Sequence, residues 1–156
     1  MPNHLAAAPA PLPIVSTAHG PVDFVWPLRV YWEDTDAGGV VFYANYLKFF
    51  ERARTEWLRA LGHSQERLRL DTGLMFVVAD TAVRYRAPAR LDDELQVSVT
   101  LAERGSASLV IAQQAWRGDT LLAEGRIRIG CVDSVRFTPK RIPAHLLPAQ
   151  QPHPTH

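Results

Sequence analysis

The clearest periodic signal in the chain is helical. Tyr46, Phe50, Ala53, Trp57 and Leu61 recur at spacings of four, three, four and four, which places them on one side of an α-helix. Leu47, Phe49 and Leu58 widen that apolar stripe. Lys48, Glu51, Arg52, Thr55, Glu56 and Arg59 fill most of the other side. Asn45 is expected to cap the N-terminus and Gly62 to stop the C-terminus. Tyr46 to Leu61 would span about 24 Å at the helical rise. A shorter helix is expected from Ser64 to about Asp71, stopped near Gly73.

Elsewhere the period is two. Leu28, Val30 and Trp32 alternate with Arg29, Tyr31 and Glu33, which predicts a strand leading into a Gly-containing turn at Asp34–Gly39. Four more strands are expected at Phe76–Arg86, Leu95–Leu101, Ala107–Trp116 and Leu121–Val132, with turns at Arg104-Gly105 and Gly118-Asp119. Ile127, Ile129 and Cys131 would share one face, which makes Cys131 a small core residue. Short turns imply antiparallel neighbours. A long amphipathic helix needs a surface to cover, and a curved antiparallel sheet supplies one. The expected class is α+β, with one main helix on a sheet of about five strands.

Proline marks the limits of this unit. Of the twelve prolines, six fall at or before Pro27 and five at or after Pro139, leaving Pro88 alone between. Pro-rich segments of low charge bury too little apolar surface to offset their ordering entropy. Residues 1–22 and 146–156 are therefore expected to be disordered, with the folded unit at 23–145.

Composition narrows the function. The chain has 156 residues, 47% hydrophobic and 21% charged, with a net charge of +1. That balance lacks the basic excess of a nucleic-acid binder. Cys131 is the one cysteine, so no intrachain disulfide and no cysteine cluster for zinc can form. No apolar run approaches the roughly 18–20 residues of a membrane span, and Met1–Pro13 lacks the basic start of a secretory signal. The expected location is the cytoplasm. There is no Gly-x-Ser-x-Gly, His-Glu-x-x-His or Gly-x-x-x-x-Gly-Lys motif. No metal and no cofactor are expected. His63, just past the long helix, reads as a capping or exposed residue, so a Ser–His or Cys–His pair lacks its base.

What remains is Glu33-Asp34-Thr35-Asp36-Ala37-Gly38-Gly39. A solvated turn would account for this composition. An EF-hand would need an acid or Asn at Gly38 and Glu at Asn45. A phosphatase-type Asp-x-Asp would need a parallel α/β chain. A carboxylate just before a helix has another use. The first N–H groups of the helix are unpaired and hold a developing oxyanion, while the carboxylate acts as general base or nucleophile. That pair hydrolyses an activated acyl group without histidine, and a thioester suits it because the thiolate leaves with little acid assistance.

The run Tyr31-Trp32-Glu33-Asp34-Thr35-Asp36-Ala37-Gly38-Gly39-Val40-Val41-Phe42-Tyr43-Ala44-Asn45-Tyr46, followed by Phe50-Glu51-Arg52-Ala53-Arg54-Thr55-Glu56, resembles the 4-hydroxybenzoyl-CoA thioesterase family of hotdog proteins. It is most similar to the branch of Tol–Pal-associated acyl-CoA thioesterases. Tyr85-Arg86-Ala87-Pro88-Ala89-Arg90-Leu91-Asp92-Asp93 and Cys131-Val132-Asp133 resemble that branch too. The resemblance implies a hotdog fold and a dimer, often paired into a tetramer, with active sites between subunits. It maps the catalytic aspartate onto Asp36 and assigns the Tyr43 backbone N–H to the thioester carbonyl. Well-known members of the branch carry His at the position of Tyr43. Gly39, Val40, Phe42, Asn45 and Phe76 are expected to contact substrate. Arg104 is expected to hold the coenzyme A phosphates, with Arg86 and Arg90 next. The expected activity is acyl-CoA hydrolysis. The competing readings are an acyl-thioester-binding module with a lipid-synthesis, acyl-carrier or envelope partner, and a 3-hydroxyacyl-thioester dehydratase, which would need His63.

Overall fold

The computed structural model of the chain describes residues 15–147. In chain order the elements are β1 (Val15–Thr17), β2 (Gly20–Val22), β3 (Phe24–Arg29), a 3-10 turn at Trp32–Asp34, α1 (Asn45–Ala60), α2 (Gln65–Thr72), β4 (Leu74–Tyr85), β5 (Glu94–Arg104), β6 (Ser108–Arg117) and β7 (Thr120–Asp133). The five strands β3 to β7 form one antiparallel sheet in the order β3-β5-β6-β7-β4, and β1 and β2 form a separate hairpin. The expected α+β class, with a long helix on a five-stranded antiparallel sheet, is the architecture found.

Helix α1 lays Tyr46, Phe49, Phe50, Ala53, Trp57 and Leu58 on the sheet. There they meet Leu95, Val97, Ile111, Ala115, Ile127 and Cys131 in one buried cluster. Gly125 on β7 permits the close approach: a Cβ there would sit 3.2 Å from Phe50 Cε2. The second helix keeps its expected signals. Ser64 Oγ accepts the Arg67 N–H at 3.1 Å, and Gly73 ends the helix with φ +72°, a conformation that suits glycine.

Three expectations are corrected. The first strand is Phe24–Arg29, earlier than the expected Leu28–Glu33. Phe24, Trp26 and Leu28 pack on the core, whereas Trp32 is 80% exposed. The chain leaves the sheet because the Asp34 side chain accepts the Tyr31 N–H at 2.8 Å and closes a 3-10 turn. Second, α1 begins at Asn45, which is not its cap. The Asn45 N–H already bonds to the Phe42 carbonyl at 2.8 Å, so the chain is turning before the helix starts. Third, the boundaries move outward. Residues 15–22 form the β1–β2 hairpin, and Leu146 and Leu147 are buried in the core. The hairpin is anchored by buried Val22 and by His19, whose ring stacks on Trp116 at 3.5 Å with Nε2 2.9 Å from the Gly118 oxygen. Apolar residues set among prolines found a surface that average composition does not register. Residues 1–14 and 148–156, with the His-Pro ending, lie outside the described residues.

No helix among the described residues is long and apolar enough to cross a membrane.

Candidate active site

The segment between β3 and α1 is held by its own hydrogen bonds. Asp34 is 6% exposed. Its Oδ2 accepts from the Tyr31 N–H, and its carbonyl accepts from the Phe42 N–H at 3.0 Å and from Asn45 Nδ2 at 2.8 Å. Asp34 therefore builds the loop from inside. Asp36 differs: it is exposed, and its Oδ1 accepts the Gly38 N–H at 2.8 Å and the Val40 N–H at 3.4 Å. Among the described residues its Oδ2 has no hydrogen-bond partner. The Asp36 N–H donates to the Val40 carbonyl at 2.8 Å, closing a tight hairpin. Gly39 sits at φ +80°, which a side-chain-bearing residue rarely adopts, and a Cβ on Gly38 would come within 3.2 Å of Asp36 Oδ1. The two glycines thus let the backbone wrap around the carboxylate.

This loop rests on a second one. The Val41 N–H donates to the Ala89 carbonyl at 2.9 Å, and Val40 forms an isolated bridge with Arg90. The Ala89 N–H donates to the hydroxyl of buried Tyr46 at 3.1 Å. Burial holds the Tyr46 phenol above its ordinary range, which keeps it neutral at this contact. Asp93 fastens the supporting loop by accepting from the Arg90 N–H and from Arg117 Nη1, both at 2.8 Å. Partial burial pushes the Asp93 carboxyl up, but those bonds and the Arg117 and Arg90 charges outweigh it and leave it below the usual range.

The helix entrance carries aromatics. Tyr43 is 62% exposed, and its carbonyl accepts the Tyr85 hydroxyl at 3.0 Å. Phe42 lies 4.9 Å and Tyr85 6.0 Å from the Tyr43 ring. The Tyr43 N–H finds no acceptor among the described residues. A carboxylate with a spare oxygen and an unpaired N–H at a helix start therefore share one loop, seven residues apart. Tyr85 supports this geometry from 42 residues away, and nothing local in the sequence announces it.

The other expected contacts divide. Gly39, Val40 and Phe42 belong to the loop. Asn45 spends its amide on the Asp34 carbonyl, so its place is in loop construction. Phe76 lines a cavity of about 430 Å3 between α1 and the sheet, together with Leu47, Arg54, Ile111, Ile127 and Leu147. Leu47 stands one helical turn past Tyr43. Arg104 ends β5, whose other end adjoins the Asp93 loop, roughly 30 Å away at the strand rise. Within one subunit it does not join the loop. Arg86 is paired with Glu124 at 2.8 Å. His63 sits at the far end of α1, its ring centre 6.5 Å from that of His145. Burial, and then the neighbouring His145, hold its imidazole below the ordinary value. The 16 residues of α1 alone put about 24 Å between the helix entrance and His63, so within one subunit it does not join the loop as the base a dehydration would need.

Comparison with known proteins agrees with this geometry. Residues 30–150 match the thioesterase-like superfamily. The acyl-CoA thioester hydrolase YbgC of Escherichia coli is 44% identical over 125 residues, covering 80% of this chain and 92% of that protein. The acyl-CoA thioesterase YbgC of Haemophilus influenzae is 43% identical over 120 residues, covering 77% and 88%. The crystal structure of a probable thioesterase from Bartonella henselae superposes with a TM-score of 0.72 at 31% identity, covering 76% of this chain and 98% of that one. On the match across residues 30–150 and the identity to these relatives, the chain belongs to the thioesterase-like superfamily of hotdog proteins.

Proposed function

We propose that this protein hydrolyses acyl-CoA thioesters with Asp36 as the reacting carboxylate and the Tyr43 N–H as carbonyl donor. The observation that carries this is exposure: the Asp34 side chain is buried in the loop on the Tyr31 N–H, while Asp36 is exposed with Oδ2 open to a substrate. The substrate carbonyl oxygen takes the Tyr43 N–H, helped by the positive end of α1. Asp36 removes a proton from water as it attacks, or attacks first itself and is released by water. The carbon–sulfur bond breaks, the coenzyme A thiolate leaves, and the free acid remains. The names of the relatives from Escherichia coli and Haemophilus influenzae describe the same reaction. A thiol-release assay across a panel of acyl-CoAs tests it. Binding without thiol release from any of them would make the protein a binding module instead.

The functional unit is a homodimer or a tetramer of dimers. Strand β4 leaves one edge unpaired over twelve residues, and such an edge invites another chain. The exposed aromatics at the helix entrance form an apolar patch of the kind that marks an interface. Light scattering at micromolar concentration is expected to give a dimer or tetramer; a folded monomer would contradict it.

Arg104 then serves coenzyme A across the subunit boundary. Arg104→Ala is expected to raise KM for acyl-CoA several-fold with kcat little changed, because uniform binding is lost. A truncated thioester without the nucleotide should show no change. If both substrates respond alike, the nucleotide lies elsewhere. A cytoplasmic location and an envelope, lipid-synthesis or acyl-carrier partner complete the proposal. Cell fractionation that left the protein in the periplasm would end that reading.

A further inference from the structure

The helix-facing side of β6 runs Leu109, Ile111, Gln113, Ala115, and Gln113 is only 1% exposed. An amide in such a place is costly unless every hydrogen-bonding group is used. Gln113 Nε2 donates to the Phe50 carbonyl at 3.1 Å and to the Ser98 carbonyl at 3.3 Å. The pairing of β5 with β6 skips Ser98 and Val99 at this point, and the Gln114 N–H turns to Ser98 Oγ at 3.1 Å. Both amide hydrogens are thus spent, which fixes the direction of Oε1. That oxygen accepts Arg54 Nη1 at 2.9 Å. The sheet ladder is opened and an amide buried, and the product is one acceptor that pins one guanidinium.

Arg54 lines the 430 Å3 cavity. Among the described residues it forms no ion pair and has no second hydrogen-bond partner. Burial draws its pKa down, and the Glu51 charge offsets that in part; a guanidinium stays charged regardless. Lys48, Glu51 and Arg54 are the charged residues of that lining, so it carries one net positive charge. Most of the remaining lining is hydrocarbon. A plain alkyl chain entering here would strip water from the cation and return nothing. A carboxylate would meet the planar fork with paired hydrogen bonds.

We propose that this cavity receives the acyl group and that Arg54 reads a carboxylate at its far end, so that dicarboxylic monothioesters are the preferred substrates. The inference rests on the thioesterase reading and names its substrate class. Gln113 is a positioning residue, and Arg54 is the one that selects.

The test compares adipoyl-CoA with hexanoyl-CoA, and suberoyl-CoA with octanoyl-CoA, by kcat/KM. The wild type is expected to favour the diacid in at least one pair by on the order of 10–100-fold. Arg54→Met should reverse that preference, and Arg54→Lys should fall between, because it keeps the charge without the fork. Wild-type hydrolysis of the monoacid thioesters at equal or higher efficiency in both pairs overturns the inference and leaves the thioesterase reading standing. This comparison needs no variant, so misfolding cannot mask it. An Arg54→Met enzyme that keeps the wild-type preference overturns the role of Arg54. If the wild type hydrolyses none of the four but releases thiol from other acyl-CoAs, the inference falls and the thioesterase reading stands.

Discussion

Asp36→Asn is expected to lower kcat/KM on a good thioester by about 10²–10⁴-fold, with the fold intact. The asparagine oxygen still accepts the Gly38 and Val40 N–H groups, so the hairpin keeps its shape. What disappears is the charge and the basic oxygen. Asp34→Asn should cost much less activity, since an amide oxygen can replace Oδ2 as the acceptor for Tyr31. Asp34→Ala removes that acceptor in a buried site and should lower the melting temperature instead. The decisive measurement is kcat/KM beside a melting curve for all three variants. Equal losses for the two Asn variants, or an active Asp36→Asn enzyme, would remove Asp36 from the mechanism.

Phe50→Ala should have the largest effect on stability, about 3–5 kcal/mol. Phe50 is 0% exposed, and its ring lies over Gly125, which has no side chain of its own to fill the gap. For a chain of this size each kcal/mol moves the midpoint by roughly 2–4 °C, so thermal unfolding should shift down by roughly 6–20 °C. A loss under about 1 kcal/mol would mean that helix and sheet collapse onto each other. In that case the close approach at Gly125 is not the fixed contact described here.

The parts of the fold legible in the sequence were those with local causes. The period of α1, the Ser64 cap and the Gly73 stop involve residues within a few positions of each other. The first strand was harder because Pro27 argues against a strand. Yet β3 pairs on one side only, with β5, and an edge strand accommodates a missing N–H. The alternation through Trp32 was misleading for a different reason: the Asp34 side chain captures Tyr31 and bends the chain before the pattern ends. At the site, resemblance singled out Asp36 over Asp34, and the structure separates the two by burial, with Asp34 inside the loop and Asp36 exposed. Tyr85 under Tyr43 and Gln113 under Arg54 were invisible. They act on partners 42 and 59 residues away, and each looks like an ordinary strand residue until the sheet is assembled.

The His19–Trp116 stack has an optical consequence. Of the four tryptophans in the chain, Trp57 is buried in the core, Trp32 stands in water, and Trp26 packs along the edge strand. Trp116 alone lies flat against an imidazole, at an interplanar angle of 4°. An imidazole stacked in van der Waals contact with an indole is placed to quench its emission by accepting an electron from the excited ring. The molecule therefore carries its own fluorophore–quencher pair across the join between the β1–β2 hairpin and the sheet. Its brightness would report the peeling of that hairpin separately from the melting of the core.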